Sequence, residues 1–266
     1  MSLEIIALQV CEAAKEAGQF LLKERKNFDQ SKVEEKSFNQ LVSYVDKTSE
    51  ELLVEHLKKI LPEAGFITEE KTIATDEKEW MWVIDPLDGT TNFVHALPVF
   101  SVSIGLIQQG VPKLGVVYEP NRDELFYAWI GGGAWMNGNR IHVKTNKELA
   151  KSLLATGFPY YDFHIMPMYL DTLNSLLKST QGMRRMGSAA VDLAYTACGR
   201  FDGFFEYGLS PWDVAAGIVL IEEAGGVVRD FKGGKDMLFG RTILGSSSAI
   251  YPAFISIIQE NFKKMN

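Results

Sequence analysis

Asp85 and Asp88 stand three residues apart at the end of an apolar run, with Pro86 and Leu87 between them. Two carboxylates held that close repel unless protons or cations lie between them. Mg²⁺ takes hard oxygen ligands, typically one or two carboxylates completed by substrate oxygens and water, and the Leu87 carbonyl is a further oxygen at the right place in the chain. Gly89, Thr90, Thr91 and Asn92 follow directly. A helix that starts there aims free N–H groups at an anion, and the glycine lets the backbone come close. Cation ligands beside an anion cradle are what is needed to hold a phosphate against a metal. Further acids sit at the ends of apolar elements: Glu69 and Glu70 after Phe66 and Ile67, and Asp213 at the start of an apolar stretch opened by Pro211. Asp46 is a fourth contributor or merely a helix-start acid. Each also has a structural reading: an Asx turn with an N-cap at Asp85 and Asp88, a solvated strand end at Glu69 and Glu70, the better account of that pair taken alone, and an N-cap at Asp213. Their recurrence at the ends of buried elements favours one shared cation site.

The elements that must position these acids follow from periodicity. Leu3, Ile6, Ala7, Val10, Ala14, Ala17 and Leu21 predict an amphipathic helix over 3–24, and a second is predicted from about Ser43 to Ile60, stopped by Pro62. The charge-rich stretch 23–39 between them reads as a mobile connector. Residues 80–84 predict a buried strand closed by a turn at Asp85 and Pro86, and 100–143 an antiparallel meander with turns at Gln109, Asn121 and the glycine cluster. Beyond Lys151 strands and helices alternate: strands at 152–156, 201–207, 227–231 and 242–247, helices at 163–178, 189–198, 211–224 and 251–263. The class is α+β or α/β, sheets covered by helices, in a single domain over 1–266 with no linker.

Composition narrows the function. The 266 residues carry 34 acids against 27 bases, a formal charge of −7, which argues against a general nucleic-acid binder. Two cysteines, Cys11 and Cys198, are too few for a disulfide framework and read as buried thiols of a reducing, cytoplasmic compartment. No stretch approaches a membrane span, and the acidic N-terminus does not read as a signal peptide. Serine-nucleophile and zinc-histidine motifs are absent, and the Gly-Lys at 234–235 lacks the rest of a P-loop.

Residues 82–93 (WVIDPLDGTTNF) and 212–226 (WDVAAGIVLIEEAGG) together resemble the inositol monophosphatase family of Mg²⁺-dependent phosphatases. The similarity extends through 35–47, 66–70, 115–120, 133–141, 187–190 and 205–208. Thr68 departs from the glycine usual before the acid pair, and residues 39–43 depart from a common Asp-Leu-Val-Thr. The resemblance implies a layered α-β-α-β-α sandwich that assembles as a homodimer, with two to three Mg²⁺ ions held by Glu69, Asp85, Asp88, Asp213 and the Leu87 carbonyl. It implies Glu69, Thr90 and Asp46 as the catalytic group, the last hydrogen-bonded to Thr90, with Glu70 in support. Substrate contacts are implied at Asp88, Gly89, Thr90 and Thr91, with Gly89 and Thr90 meeting the phosphate, and at Gly187, Ser188, Ala189, Glu206 and Asp213 for the hydroxyls. Lithium inhibition is a further family trait. The expected reaction is hydrolysis of a small-molecule phosphate monoester by in-line attack of a metal-activated water, with no nucleic-acid or membrane partner. Thr91, Asn92 and Phe93, where nucleotidase-like relatives carry charges, favour myo-inositol 1-phosphate or a related polyol phosphate. The alternatives are fructose-bisphosphatase, bisphosphate nucleotidase or histidinol-phosphate phosphatase activity, or a non-catalytic sugar-phosphate or cation sensor. Segment 156–161 shapes the substrate pocket in relatives.

Overall fold

A computed structural model describes residues 1–28, 33–37, 40–160 and 162–263. It begins with α1 (Leu3–Lys26), whose inner face carries the predicted Ile6, Ala7, Val10, Ala14, Ala17 and Leu21, with Cys11 among them. Within the stretch expected to be a mobile connector, α1 continues to Lys26 and β1 (Val33–Ser37) forms a strand, which pairs antiparallel with β2 (Gln40–Ser43) just beyond it. The consecutive charges Glu34, Glu35 and Lys36 concealed β1, and β2, only four residues long, is too short to show an alternation. Residues 29–32 and 38–39 of that stretch, and Tyr161 of the pocket segment, lie outside the described residues. Next comes α2 (Tyr44–Ile60), capped by Ser43.

A seven-stranded sheet follows, in the order β3 (Gly65–Thr68), β4 (Trp80–Asp88), β5 (Ser101–Gln108), β6 (Val111–Glu119), β7 (Glu124–Trp129), β8 (Gly133–Met136) and β9 (Asn139–Ile141). From β4 onward each neighbour is antiparallel, the expected meander, whereas β3 runs parallel to β4. The parallel pairing brings the C-terminal ends of β3 and β4, with Glu69 and Asp85, to the same edge. The expected stop at Asp85 and Pro86 is an irregularity inside β4, which resumes pairing at Asp88 with Ser101. A proline has no ladder N–H to give, so it is tolerated at such a break. The short α3 (Thr90–Val94) leaves the strand end.

A five-stranded mixed sheet, in the order β11 (Gly182–Arg184), β10 (Leu153–Thr156), β12 (Gly203–Tyr207), β14 (Thr242–Ser247) and β13 (Gly226–Arg229), forms the second sheet. Between the sheets lie α5 (Ala189–Ala197) and α6 (Pro211–Glu223), while α4 (Met166–Ser179) and α7 (Tyr251–Phe262) cover the far face. With α1 and α2 on the outside of the larger sheet, the layers read α-β-α-β-α. A helix between two sheets must be apolar all round, and α6 is buried from Val214 through Ile221. Its approach is very close because Gly105 and Gly115 pair across β5 and β6 directly beneath it. A Cβ on Gly105 would lie 2.6 Å from Ala215 Cβ, and one on Gly115 2.6 Å from Ala216 Cα. No described helix is long and apolar enough to cross a membrane.

Candidate active site and its family

The close seating of α6 delivers Asp213, in its first turn, to the ends of β3 and β4. Oxygens of Asp85, Asp88 and Asp213 all lie within 4.8 Å of one another. Glu69 and Asp213 stand close enough to Asp85 to interact with it directly, so these acids repel unless a proton or a cation lies between them. Burial raises the Asp85 carboxyl well above its ordinary range, and the Glu69, Asp88 and Asp213 carboxylates raise it further. Asp213 is raised in the same way, by burial and then by Asp88 and Glu69. Such a set of mutually repelling hard oxygens, ionised only at a cost, fits a small divalent cation.

Local geometry explains how each acid is aimed. Leu87 N–H donates to Asp85 Oδ1 at 3.0 Å, turning the chain at the strand break. Ser103, the cross-strand partner of Asp85, donates its hydroxyl to the Trp212 carbonyl at 3.2 Å and so holds the first turn of α6 against the strand. Ser210 N–H donates to Asp213 Oδ2 at 2.7 Å. Asp88 Oδ2 accepts from Ser188 Oγ and from the Ala190 N–H at 2.7 Å, at the N-terminus of α5. Burial raises Asp88, while these donors, the Ala189 N–H and the Arg185 charge oppose the rise. The N-termini of α5 and α6 thus face the acids, where the helix dipole favours negative charge.

Thr90 Oγ1 stands 3.0 Å from Asp46 Oδ1 and 3.1 Å from the Leu87 carbonyl, and its one proton serves only one of them at a time. Asp46 is buried, and its other oxygen accepts from Ser43 N–H at 2.8 Å and Ser43 Oγ at 2.7 Å. Burial pushes its carboxyl up, and the Ser43 and Thr90 hydrogen bonds work against that. Gly89 caps α3 at φ 98°, and Gly187 is at φ 91°. Between them Asn92 Nδ2 donates to the carbonyls of Val99 at 2.7 Å and Met186 at 2.9 Å.

Beside the acids opens a cavity of about 260 Å³. Glu69, Asp88, Gly187, Ser188, Ala189, Glu206 and Asp213 line it; Asp46, Asp85, Leu87, Gly89, Thr90 and Thr91 are not among its lining residues. Thr91 is exposed on α3. Segment 157–160 supplies a wall, and Gly157 is there because a Cβ would lie 2.0 Å from the Glu206 carboxyl carbon.

Sequence reasoning missed four residues here. Arg185 lies over the Phe158 and Tyr160 rings at 5.7 and 5.4 Å and lines the cavity; nothing in its local sequence marks it. Asp192 also lines it, buried, with Oδ1 unpartnered and its carboxyl raised by burial, then by Glu206 and Asp88. A lone acid in the apolar stretch 189–197 was the available signal. Asn92, which the sequence offers as part of the anion loop and as an uncharged position beside it, and Glu50, one helical turn from Asp46, take roles that no local pattern signals.

A model of the inositol monophosphatase family matches residues 3–263, and the chain belongs to that family. Among its relatives is the Nus factor SuhB of Pasteurella multocida, 43% identical over 257 residues, which cover 95% of this chain and 96% of that protein. The extragenic suppressor protein suhB of Bartonella henselae superposes with a TM-score of 0.88 at 38% identity, over 94% of this chain and 96% of that one. The inositol monophosphatase of Anabaena (Nostoc) sp. PCC 7120 superposes with a TM-score of 0.85 at 39% identity, over 98% and 97%.

Proposed function

We propose that the protein hydrolyses a phosphate monoester of a small polyol, with inositol 1-phosphate the leading substrate, and that it needs Mg²⁺ to do so. The observation that carries this reading is the approach of the Asp85, Asp88 and Asp213 oxygens to within 4.8 Å at the edge of a polar cavity. Glu69, Asp85, Asp88, Asp213 and the Leu87 carbonyl would hold the cations, whose chemistry is Lewis acidity toward water and phosphoryl oxygens.

The chain's own groups then divide the work. Asp46 holds the Thr90 hydroxyl, and Thr90 with Glu69 positions the attacking water, Glu69 taking its proton. Backbone N–H groups at Gly89 and Thr90 would donate to the phosphoryl oxygens and stabilise their developing charge. Asp213, Glu206 and the segment from Gly187 to Ala189 accept and orient the hydroxyls of the leaving alcohol. No covalent enzyme intermediate is needed. The test is phosphate release from inositol 1-phosphate with and without Mg²⁺, repeated on Asp88→Asn and Asp213→Asn. Full activity in both variants at an unchanged Mg²⁺ requirement overturns the assignment. A panel of monoesters and bisphosphates compared by kcat/KM settles the substrate, and sedimentation tests a homodimer.

The relative from Pasteurella multocida supports a second reading, because it is 43% identical to this chain and carries the name of a Nus factor. On that reading this protein joins transcription complexes. Binding of the purified chain to RNA polymerase with Nus factors tests it, and an Asp213→Asn variant separates it from catalysis.

A further inference from the structure

One turn of α2 carries three buried polar side chains, Asp46, Ser49 and Glu50, at the i, i+3, i+4 spacing that places them on one face. Each reaches a different segment of the site. Asp46 meets Thr90, at the start of α3, at 3.0 Å. Ser49 Oγ donates to the Pro86 carbonyl, inside the break of β4, at 3.1 Å. Glu50 grips the loop after β3: its Oε2 accepts from Glu70 N–H at 2.7 Å, and its Oε1 accepts from Thr72 N–H at 2.8 Å and Thr72 Oγ1 at 2.7 Å.

Glu50 is fully buried and does not line the cavity. A carboxylate is costly to place there unless its oxygens are satisfied, and here both accept, two of the donors being backbone amides that no side-chain change removes. The amide it fastens on one side belongs to the residue directly after Glu69, and Glu69 N–H is fastened on the other side to the Ile84 carbonyl at 3.3 Å. The loop is therefore pinned immediately before and after the Glu69 side chain.

From this geometry we infer that Glu50 is a positioning residue: it sets the Glu69 carboxylate against Asp85, and with Asp46 and Ser49 makes one turn of α2 the gauge that spaces Glu69, the β4 break and Thr90. The part of this inference that concerns a cation rests on the proposed function. Groups that orient metal ligands without touching the metal typically change affinity by about 10- to 100-fold when removed.

Glu50→Gln is the telling variant, because it keeps the shape but turns an amide NH₂ toward a donor. Glu55→Gln, an exposed acid on the same helix, controls for lost charge. Two measurements are made on the whole protein: amide hydrogen exchange at residues 70 and 72 without metal, and calorimetric titration with Mg²⁺. Glu50→Gln is expected to speed exchange at both amides and to weaken Mg²⁺ binding by about 10-fold or more, with Glu55→Gln matching wild type. Should Glu50→Gln not fold, Thr72→Val removes one donor and is expected to shift both readouts the same way by a smaller factor. Faster exchange with unchanged Mg²⁺ affinity, or no change in exchange, overturns the inference and leaves Glu50 a structural acid. A wild type that binds no Mg²⁺ is a different result: it overturns the proposed function and the cation part of the inference, while the exchange rates still decide whether Glu50 fixes the loop.

Discussion

Asp88 and Ser188, one hundred residues apart in the chain, are joined by a hydrogen bond of 2.5 Å. The bond crosses from the larger sheet, to which β4 belongs, to the helical layer between the sheets, where Ser188 caps α5. Ser188 Oγ also lies 3.3 Å from Ser101 Oγ, on the residue that pairs with Asp88 across β4 and β5. Asp88 therefore commits its Oδ2 to the α5 N-terminus.

Removing that hydroxyl separates positioning from ligation. Ser188→Ala leaves every proposed metal ligand in place but takes one charge-assisted donor from Asp88. A loss of about 1.5–3 kcal/mol of stability is expected, read by urea unfolding. Phosphate release is expected to fall, with a higher Mg²⁺ requirement. Unchanged Mg²⁺ dependence contradicts the coupling.

Thr90 distinguishes a hydroxyl requirement from a packing one. Thr90→Ser keeps the oxygen between Asp46 and Leu87 and is expected to retain most of the activity. Thr90→Ala is expected to lower kcat by about 10²- to 10⁴-fold. Asp46→Asn is expected to fall between them, since it still accepts from the hydroxyl without the charge. Steady-state kinetics at saturating Mg²⁺ checks the order, and equal rates for the Ser and Ala variants refute the role.

Gly187→Ala tests the joint between α3 and α5. The position has φ 91°, and an added Cβ would meet Arg185 Nη1 at 2.7 Å and Asn92 Nδ2 at 2.8 Å. Backbone strain of about 1–3 kcal/mol is expected, together with displacement of Asn92 from the Val99 and Met186 carbonyls. Thermal unfolding and KM both register it, and a wild-type Tm with a wild-type KM counts against the joint.

The acids also predict an unusual pH profile for the metal-free protein. Asp85, Asp192, Glu206 and Asp213 are all raised well above their ordinary values, chiefly by burial. Above the ordinary carboxylate range near pH 4 the unfolded chain has released these protons while the folded chain still holds them. The unfolded state then binds fewer protons, so stability falls as pH rises through the folded values. Measured in chelator, Tm is expected to climb as pH drops from about 8 to about 5, and Asp213→Asn is expected to raise Tm at neutral pH and flatten the slope. Mg²⁺, which favours the ionised forms, is expected to raise Tm most at the high-pH end. A chelated Tm that rises with pH over this interval contradicts the burial argument.

Much of the architecture is legible in the residues themselves, because helix and strand periods are local. The inner face of α1, the start of α2, the meander and the all-apolar α6 follow from spacing, whereas β1 and β2 carry no period and β11 is three residues long. In the site, the cluster from Asp85 to Thr90 is contiguous in the chain, so its chemistry is readable without a fold. By itself the sequence determined which groups are available: hard oxygens, a hydroxyl with an acid to hold it, and glycines for close approach. Only the tertiary structure decided which of them meet. Glu69 joins Asp85 because β3 runs parallel to β4, Asp213 joins both because Gly105 and Gly115 let α6 settle on the sheet, and Glu50 reaches the loop because α2 lies across it. The reason is that propensity acts over a few residues, while the distance between two carboxylates is set by how whole layers pack.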